Sequence, residues 1–170
     1  MRRGGGAGAL ALAALLVLGG CGYSLRGTLP SHIKTVAVPI FANRTQEPAV
    51  EGLITRAVVE AFSTNGRLRI AKAAEADAIL DGEITRYEIQ AIAFDQSANI
   101  RQYRLLVTLN LRMRDVREHK VLFERTGVQE QADFRVLGAV SQTISREETA
   151  LRDAAVDIGR SVVSLAVDRF

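Results

Sequence analysis

The chain has 170 residues, 48% of them hydrophobic, with 22 Lys and Arg against 19 Asp and Glu. Residues 1–20 hold two of the basic groups and no acidic one, so the rest carries 20 − 19 = +1; a sequence pI near 9.4 is then no argument for nucleic acid. A single cysteine excludes an internal disulfide, and the 150 residues after position 20 suffice for one domain with its own core.

The first element is an export signal. Arg2 and Arg3 form a positive n-region, and Ala7 to Leu18 is an uncharged apolar run. At about 12 residues it has the length of a secretory h-region and is too short to span a bilayer. Leu18, Gly19 and Gly20 before Cys21 resemble the bacterial lipobox. That resemblance implies cleavage before Cys21 and a thioether from its sulfur to diacylglycerol, with further acylation of the new amine. Several acyl chains anchor stably where one binds reversibly. Gly22 stands where an inner-membrane retention signal would place Asp, which points to the outer membrane. Residues 21–34 read as a lipidated tether, and 35–170 as a single domain.

Within that domain, Thr35 to Phe41 is β-branched and apolar and is predicted as a strand, although Pro39 cannot donate to a ladder. From Pro48, the apolar residues Val50, Leu53, Ile54, Ala57, Val58, Ala61 and Phe62 recur at helical spacing up to a stop at Asn65-Gly66. Arg67 to Ala71 is a short strand, parallel to the first across the helical crossover. The run from Ala76 to Asp95 reads as a long strand with a bulge near Arg86 and Tyr87. From Tyr103 the odd positions Leu105, Val107, Leu109, Leu111 and Met113 are apolar. The even positions are polar except Leu106, so this strand has one wet face. Lys120 to Gln131 is a further strand. A last helix opens on Ser145 and Glu148, spaced as a capping box, with Leu151, Ala154, Ala155, Ile158, Val162, Leu165 and Ala166 on one face. The order predicts an α/β (α+β) two-layer sandwich, a mixed four- to five-stranded sheet with two helices packed on one face.

Catalytic constellations do not emerge. His32 and His119 lie far apart with no metal-ligand spacing, and each reads as a solvated polar residue; no catalytic residue, metal or cofactor is expected beyond the lipid on Cys21. Asp81 and Glu83 share a strand face and read as solvated; Glu147 and Glu148 read as charges at a helix start. The basic groups are more informative. Arg104, Arg112 and Arg114 fall on the wet face of one strand, and Arg101, Arg117 and Lys120 lie near its ends. Arginine binds phosphate through its planar fork, so these six are candidate contacts for an anionic lipid, against the plainer reading of an ordinary wet face in an arginine-biased proteome.

The runs "CGYSLRGTLPSHIKTVAVPIFANRTQEPAVEGLITRAVVEAF", "ADAILDGEITRYE" and "YRLLVTLNLRMRD" resemble the LptE family of outer-membrane lipopolysaccharide-assembly lipoproteins over nearly the whole chain. The marks are C-G-Y-x-L-R-G after the lipobox, V-P-x-F-x-N-R-T-x-E-P into the first helix, and "AD" before L-x-G-x-I. The resemblance implies a non-catalytic plug in the lumen of the LptD β-barrel, on the periplasmic face, that helps place lipopolysaccharide in the outer leaflet. The six basic residues would then face barrel lumen or lipopolysaccharide. "VAVPIFANRT" is also similar to the first strand of curli-type secretion lipoproteins and of peptidoglycan-synthase activators, which implies a self-assembling or regulatory lipoprotein instead.

Overall fold

A computed structural model describes residues 29–135 and 140–167, with the side chains of 140–144 left out. The signal, Cys21 and the first part of the tether lie outside the described residues. Among the described residues six strands and two helices follow in order: β1 (Thr35–Ala37), β2 (Ala42–Asn43), α1 (Val50–Asn65), β3 (Arg69–Ile70), β4 (Ala78–Phe94), β5 (Ile100–Asp115), β6 (Val121–Arg135) and α2 (Val140–Val167). The sheet runs β3-β1-β4-β5-β6, with β2 pairing farther along the β1 edge of β4. β1, β2 and β3 pair in parallel; β4, β5 and β6 form an antiparallel meander. This is the mixed sheet of the expected α+β sandwich, one short strand larger.

The strand expected from Thr35 to Phe41 is broken, and Pro39 sits in the gap. Ala37 pairs with Ile79 and Ala42 with Glu83, so five residue steps on one side face four on the other. The spare residue loops out; Ile40 is 70% exposed, whereas Phe41 is buried. The backbone N–H of Phe41 is satisfied by Thr55 Oγ1 of α1 at 3.0 Å.

Val50, Ile54, Val58 and Phe62 give α1 its buried stripe, and the helix ends where Gly66 takes φ 73° and donates to the Phe62 carbonyl. Its start is two residues past Pro48, after Ala49 in the left-handed region. In β5, Leu105, Val107, Leu109, Leu111 and Met113 are all within 1% of full burial, and the expected bulge in β4 lies between Ile84 and Arg86.

The capping-box reading fails. α2 already runs from Val140, so Ser145 and Glu148 are interior to it: the Ser145 carbonyl accepts from Thr149 Oγ1 at 2.9 Å and Glu148 pairs with Arg152. The spacing S-x-x-E also suits any exposed helical face, which is what it marks here. β6 extends four residues beyond Gln131, because Asp133 pairs with Arg104 and Phe134 stacks on Tyr103, with ring centroids 5.4 Å apart.

The two helices lie together over one sheet face and close a single core that includes Phe62, Leu80, Ile84, Leu109 and Ile158. They meet closely at Gly159, where an added Cβ would come within 2.7 Å of the Ala57 carbonyl oxygen. Among the described residues, the opposite sheet face carries a small apolar cluster of Ala37, Ala76 and Ile79 at one end, with Leu106 buried farther along it.

Candidate functional site

The motif residues form a structural clasp. Asn43 Nδ2 donates to the Glu47 carbonyl (2.8 Å) and to Glu51 (3.0 Å), while its Oδ1 accepts from the Thr45 N–H and hydroxyl. Arg44 reaches across to Glu83 at 2.7 Å. The Phe41 ring lies against Gly82, where a Cβ would meet it at 2.5 Å, which explains the glycine between the two half-buried carboxylates. Asp77 Oδ2 accepts from the Lys34 N–H, the Thr35 N–H and the Thr35 hydroxyl, all within 2.9 Å. These residues splice β1, β2 and α1 onto β4, so the motif encodes the fold.

Asp77 shows the electrostatic result: the Lys34 N–H and the Thr35 hydroxyl hold its carboxyl below the usual carboxylate range, against the opposing effect of burial. A carboxylate with a depressed native pKa adds stability that is complete above its unfolded pKa and is lost as pH falls through the folded one. Melting temperature should therefore fall on acidification below about pH 4. Asp77→Asn should start lower at neutral pH and lose less on the way down; parallel melts from pH 7 to roughly 2.5 check this.

The six basic candidates do not form one patch. Arg101 is at the tip of the β4–β5 hairpin, where it pairs with Asp95 at 2.7 Å. Asp95, which also accepts from the Asn99 N–H and side chain and from the Ser97 N–H, is lowered to about 2. Arg104, Arg112 and Arg114 do line the helix-free face of β5, as period 2 requires. Arg104 makes a two-pronged contact with Asp133 (2.7 and 2.9 Å) and Arg114 pairs with Asp81 at 3.1 Å. Among the described residues Arg112 makes no ion pair, although the register sets it between Asp81 and Glu124. Arg117 and Lys120 lie at the other end, in the β5–β6 turn, with Lys120 held by Glu118.

Three carboxylates expected to be merely solvated or helix-starting have partners distant in the sequence. Asp81 and Glu83 are both ion-paired, and Glu147 accepts from the Tyr87 hydroxyl at 3.2 Å. Burial first, and the Glu147 charge second, raise the Tyr87 phenol far above its ordinary value. His32 is likewise no solvated tether residue. Its Nε2 lies 2.6 Å from Oδ2 of Asp115, which is 1% exposed and whose Oδ1 accepts the Arg117 and Glu118 N–H groups. Glu118 is near enough for the three to resemble a metal cluster, but each already has a protein partner. Ile33 beside His32 is buried, so residues 29–34 are packed against the domain. No sequence signal marks the His32–Asp115 pair, whose members are 83 residues apart.

Among the described residues no helix is long and apolar enough to cross a membrane. A family model described as LptE, lipopolysaccharide-assembly, matches residues 33–165. The chain belongs to this LptE family. No individually curated protein matches it. The LptE-family fold recurs in solved structures of low identity. A Xanthomonas campestris protein is 12% identical with a TM-score of 0.57, covering 84% of this chain and 90% of its own. Lipoprotein B of Nitrosomonas europaea is 20% identical with a TM-score of 0.52 over 85% and 92%. The rare lipoprotein B of Shewanella oneidensis is 15% identical with a TM-score of 0.52 over 76% and 93%. These likenesses carry the fold; the family places the chain among lipoproteins of lipopolysaccharide assembly.

Proposed function

We propose that this LptE-family chain is a non-catalytic outer-membrane lipoprotein. It is anchored through Cys21 on the periplasmic side, fills the lumen of an LptD-type β-barrel and assists insertion of lipopolysaccharide into the outer leaflet. The carrying observation is the helix-free face of β4, β5 and β6. Across its middle it presents Arg86, Glu88, Thr108, Gln129 and Gln131, and its charges are matched by neighbours: Arg44 with Glu83, Arg104 with Asp133, Arg114 with Asp81. A wet barrel interior accepts such a face, because most of its charges are already paired and no apolar patch is needed.

Mutual pairing holds Arg104 more basic and Asp133 more acidic than usual, so neither is spare for a ligand. Of the three β5 arginines on this face, the one left for lipopolysaccharide phosphate is Arg112. Arg112→Gln should weaken lipopolysaccharide binding by about tenfold at low salt, the order of one charge-assisted contact, with less effect at high salt and an unchanged melt. Arg104→Glu should instead lower the melt, because it sets a carboxylate against Asp133.

Cys21→Ala should abolish incorporation of radiolabelled fatty acid and leave uncleaved or soluble protein; label on the variant would refute the lipobox. The wild-type lipoprotein, extracted in mild detergent, should bring down a very large β-barrel. Recovery alone, or as a ring of its own copies, would refute the plug.

A further inference from the structure

We propose that the end of the domain where the chain arrives from Cys21 is a docking surface for anionic phospholipid headgroups of the leaflet that holds the anchor; this rests on the lipidation reading. Four segments meet there. Arg69 N–H donates to the Lys34 carbonyl and Val116 N–H to the Asp77 carbonyl, while His32 reaches Asp115. Leu29, Lys34, Leu68 and Val167 line one shallow depression. The entry segment, the α1–β3 and β3–β4 connections and the β5–β6 turn thus share one end of the sheet.

The charge at this end differs from that elsewhere. Lys34, Lys72 and Lys120 are the only lysines of an arginine-rich chain, and all three are here, exposed, with Arg69 and Arg117. Among the described residues Lys34, Arg69, Lys72 and Arg117 make no ion pair, whereas most arginines of the sheet face do. The neighbouring acids are largely used up: Asp77 by backbone amides and a hydroxyl, Asp115 by His32 and two amides, Glu118 by Lys120, leaving Glu75. Lysine acts on phosphate as a flexible point charge, which suits a fluid layer of headgroups better than the fixed fork of arginine. Ile70 and Val121, beside Arg69 and Lys120, are 38% and 44% exposed and would meet the interface next to the cations.

The length of chain outside the structure agrees. Eight residue steps separate Cys21 from Leu29, at most ~28 Å of extended backbone. β4 leads away from this end for 17 residues, ~55 Å, so the hairpin tip cannot touch the same headgroups with the domain upright, and the lysine end can. A basic patch beside a lipid chain is a recognised second anchoring signal.

The test uses the mature chain, residues 21–170, with Cys21→Ser, so that binding cannot come from acyl chains. It should co-sediment with vesicles of equimolar phosphatidylcholine and phosphatidylglycerol, not with phosphatidylcholine alone, and detach in about 0.5 M salt. Lys34→Gln/Lys72→Gln/Arg117→Gln should lower the partition coefficient on the order of a hundredfold, and Arg152→Gln on the exposed face of α2 should leave it unchanged. Equal binding to both vesicle types, or a triple variant that binds like its parent, would overturn the proposal. An acyl-free mass for wild-type protein from cell membranes would overturn the anchor instead, with the vesicle result standing.

Discussion

Phe62→Ala should lower the unfolding free energy by about 3–5 kcal/mol, the range for a buried aromatic truncated to alanine. Phe62 closes the α1 stripe one residue turn before its glycine stop, is fully buried, and its carbonyl accepts the N–H of Gly66. It sits in the common core under both helices, so the cavity left cannot collapse without moving α2 or β1. Leu53→Ala on the same helix is the control. Leu53 was expected in the core from its spacing but is only half-buried, at the margin of the stripe, so its loss should be well under half that of Phe62. Urea unfolding of the two variants with unchanged m-values would establish the order; equal losses would mean that α1 is rotated from the position described.

Gly159→Leu should cost about 3 kcal/mol, the upper end for overpacking, because what blocks the new side chain is backbone. A Cβ there would lie 2.7 Å from the Ala57 carbonyl oxygen and 3.1 Å from Ala61 Cβ. A flexible side chain could swing aside, but a helix carbonyl moves only with its helix. The two helices must then part along the seam that joins the α1 half of the core to the α2 half. Gly82→Ala makes an instructive contrast, since there the obstacle is the Phe41 ring, which can tilt at a smaller cost. A thermal melt of both variants tests the ranking.

These two positions show why so much of the fold was readable from the chain and where reading stopped. The buried stripe of α1 and the alternation in β5 repeat within a few residues, so local periodicity reveals them. The bulge in β4 announces itself as a phase change. Pro39 warned of a break, but the resumption at Ala42 depends on the stagger against β4, which no local pattern contains. The true start of α2 was hidden for the opposite reason: a capping-box spacing is also a common surface spacing, and here it is the latter. The C-terminal part of β6 is strand because of what lies across it in β5, namely Tyr103 and Arg104.

The candidate site divides in the same way. Period 2 placed Arg104, Arg112 and Arg114 on the helix-free face correctly, yet their chemistry is decided by carboxylates brought in from β4 and β6. Asp133 is 29 residues from Arg104 and Asp81 is 33 from Arg114. Once those pairs form, the face is polar and nearly neutral rather than a phosphate clamp. Arg101 and Lys120, close to β5 in sequence, end up at opposite ends of a 16-residue strand. Four cations without an ion pair among the described residues, Lys34, Arg69, Lys72 and Arg117, gather at the lysine end, a grouping that draws on four separate segments and is visible only when the sheet is assembled.

The central claim is that the helix-free face of β4, β5 and β6 lies against the inside of a barrel. Its most direct test is a photo-reactive amino acid in place of Thr108, which lies midway along that face with Arg86 and Gln129 as cross-strand neighbours. Irradiated in cells, the lipoprotein should form an adduct with a very large outer-membrane β-barrel. Adducts confined to a second copy of this chain, or none at all, would contradict the account.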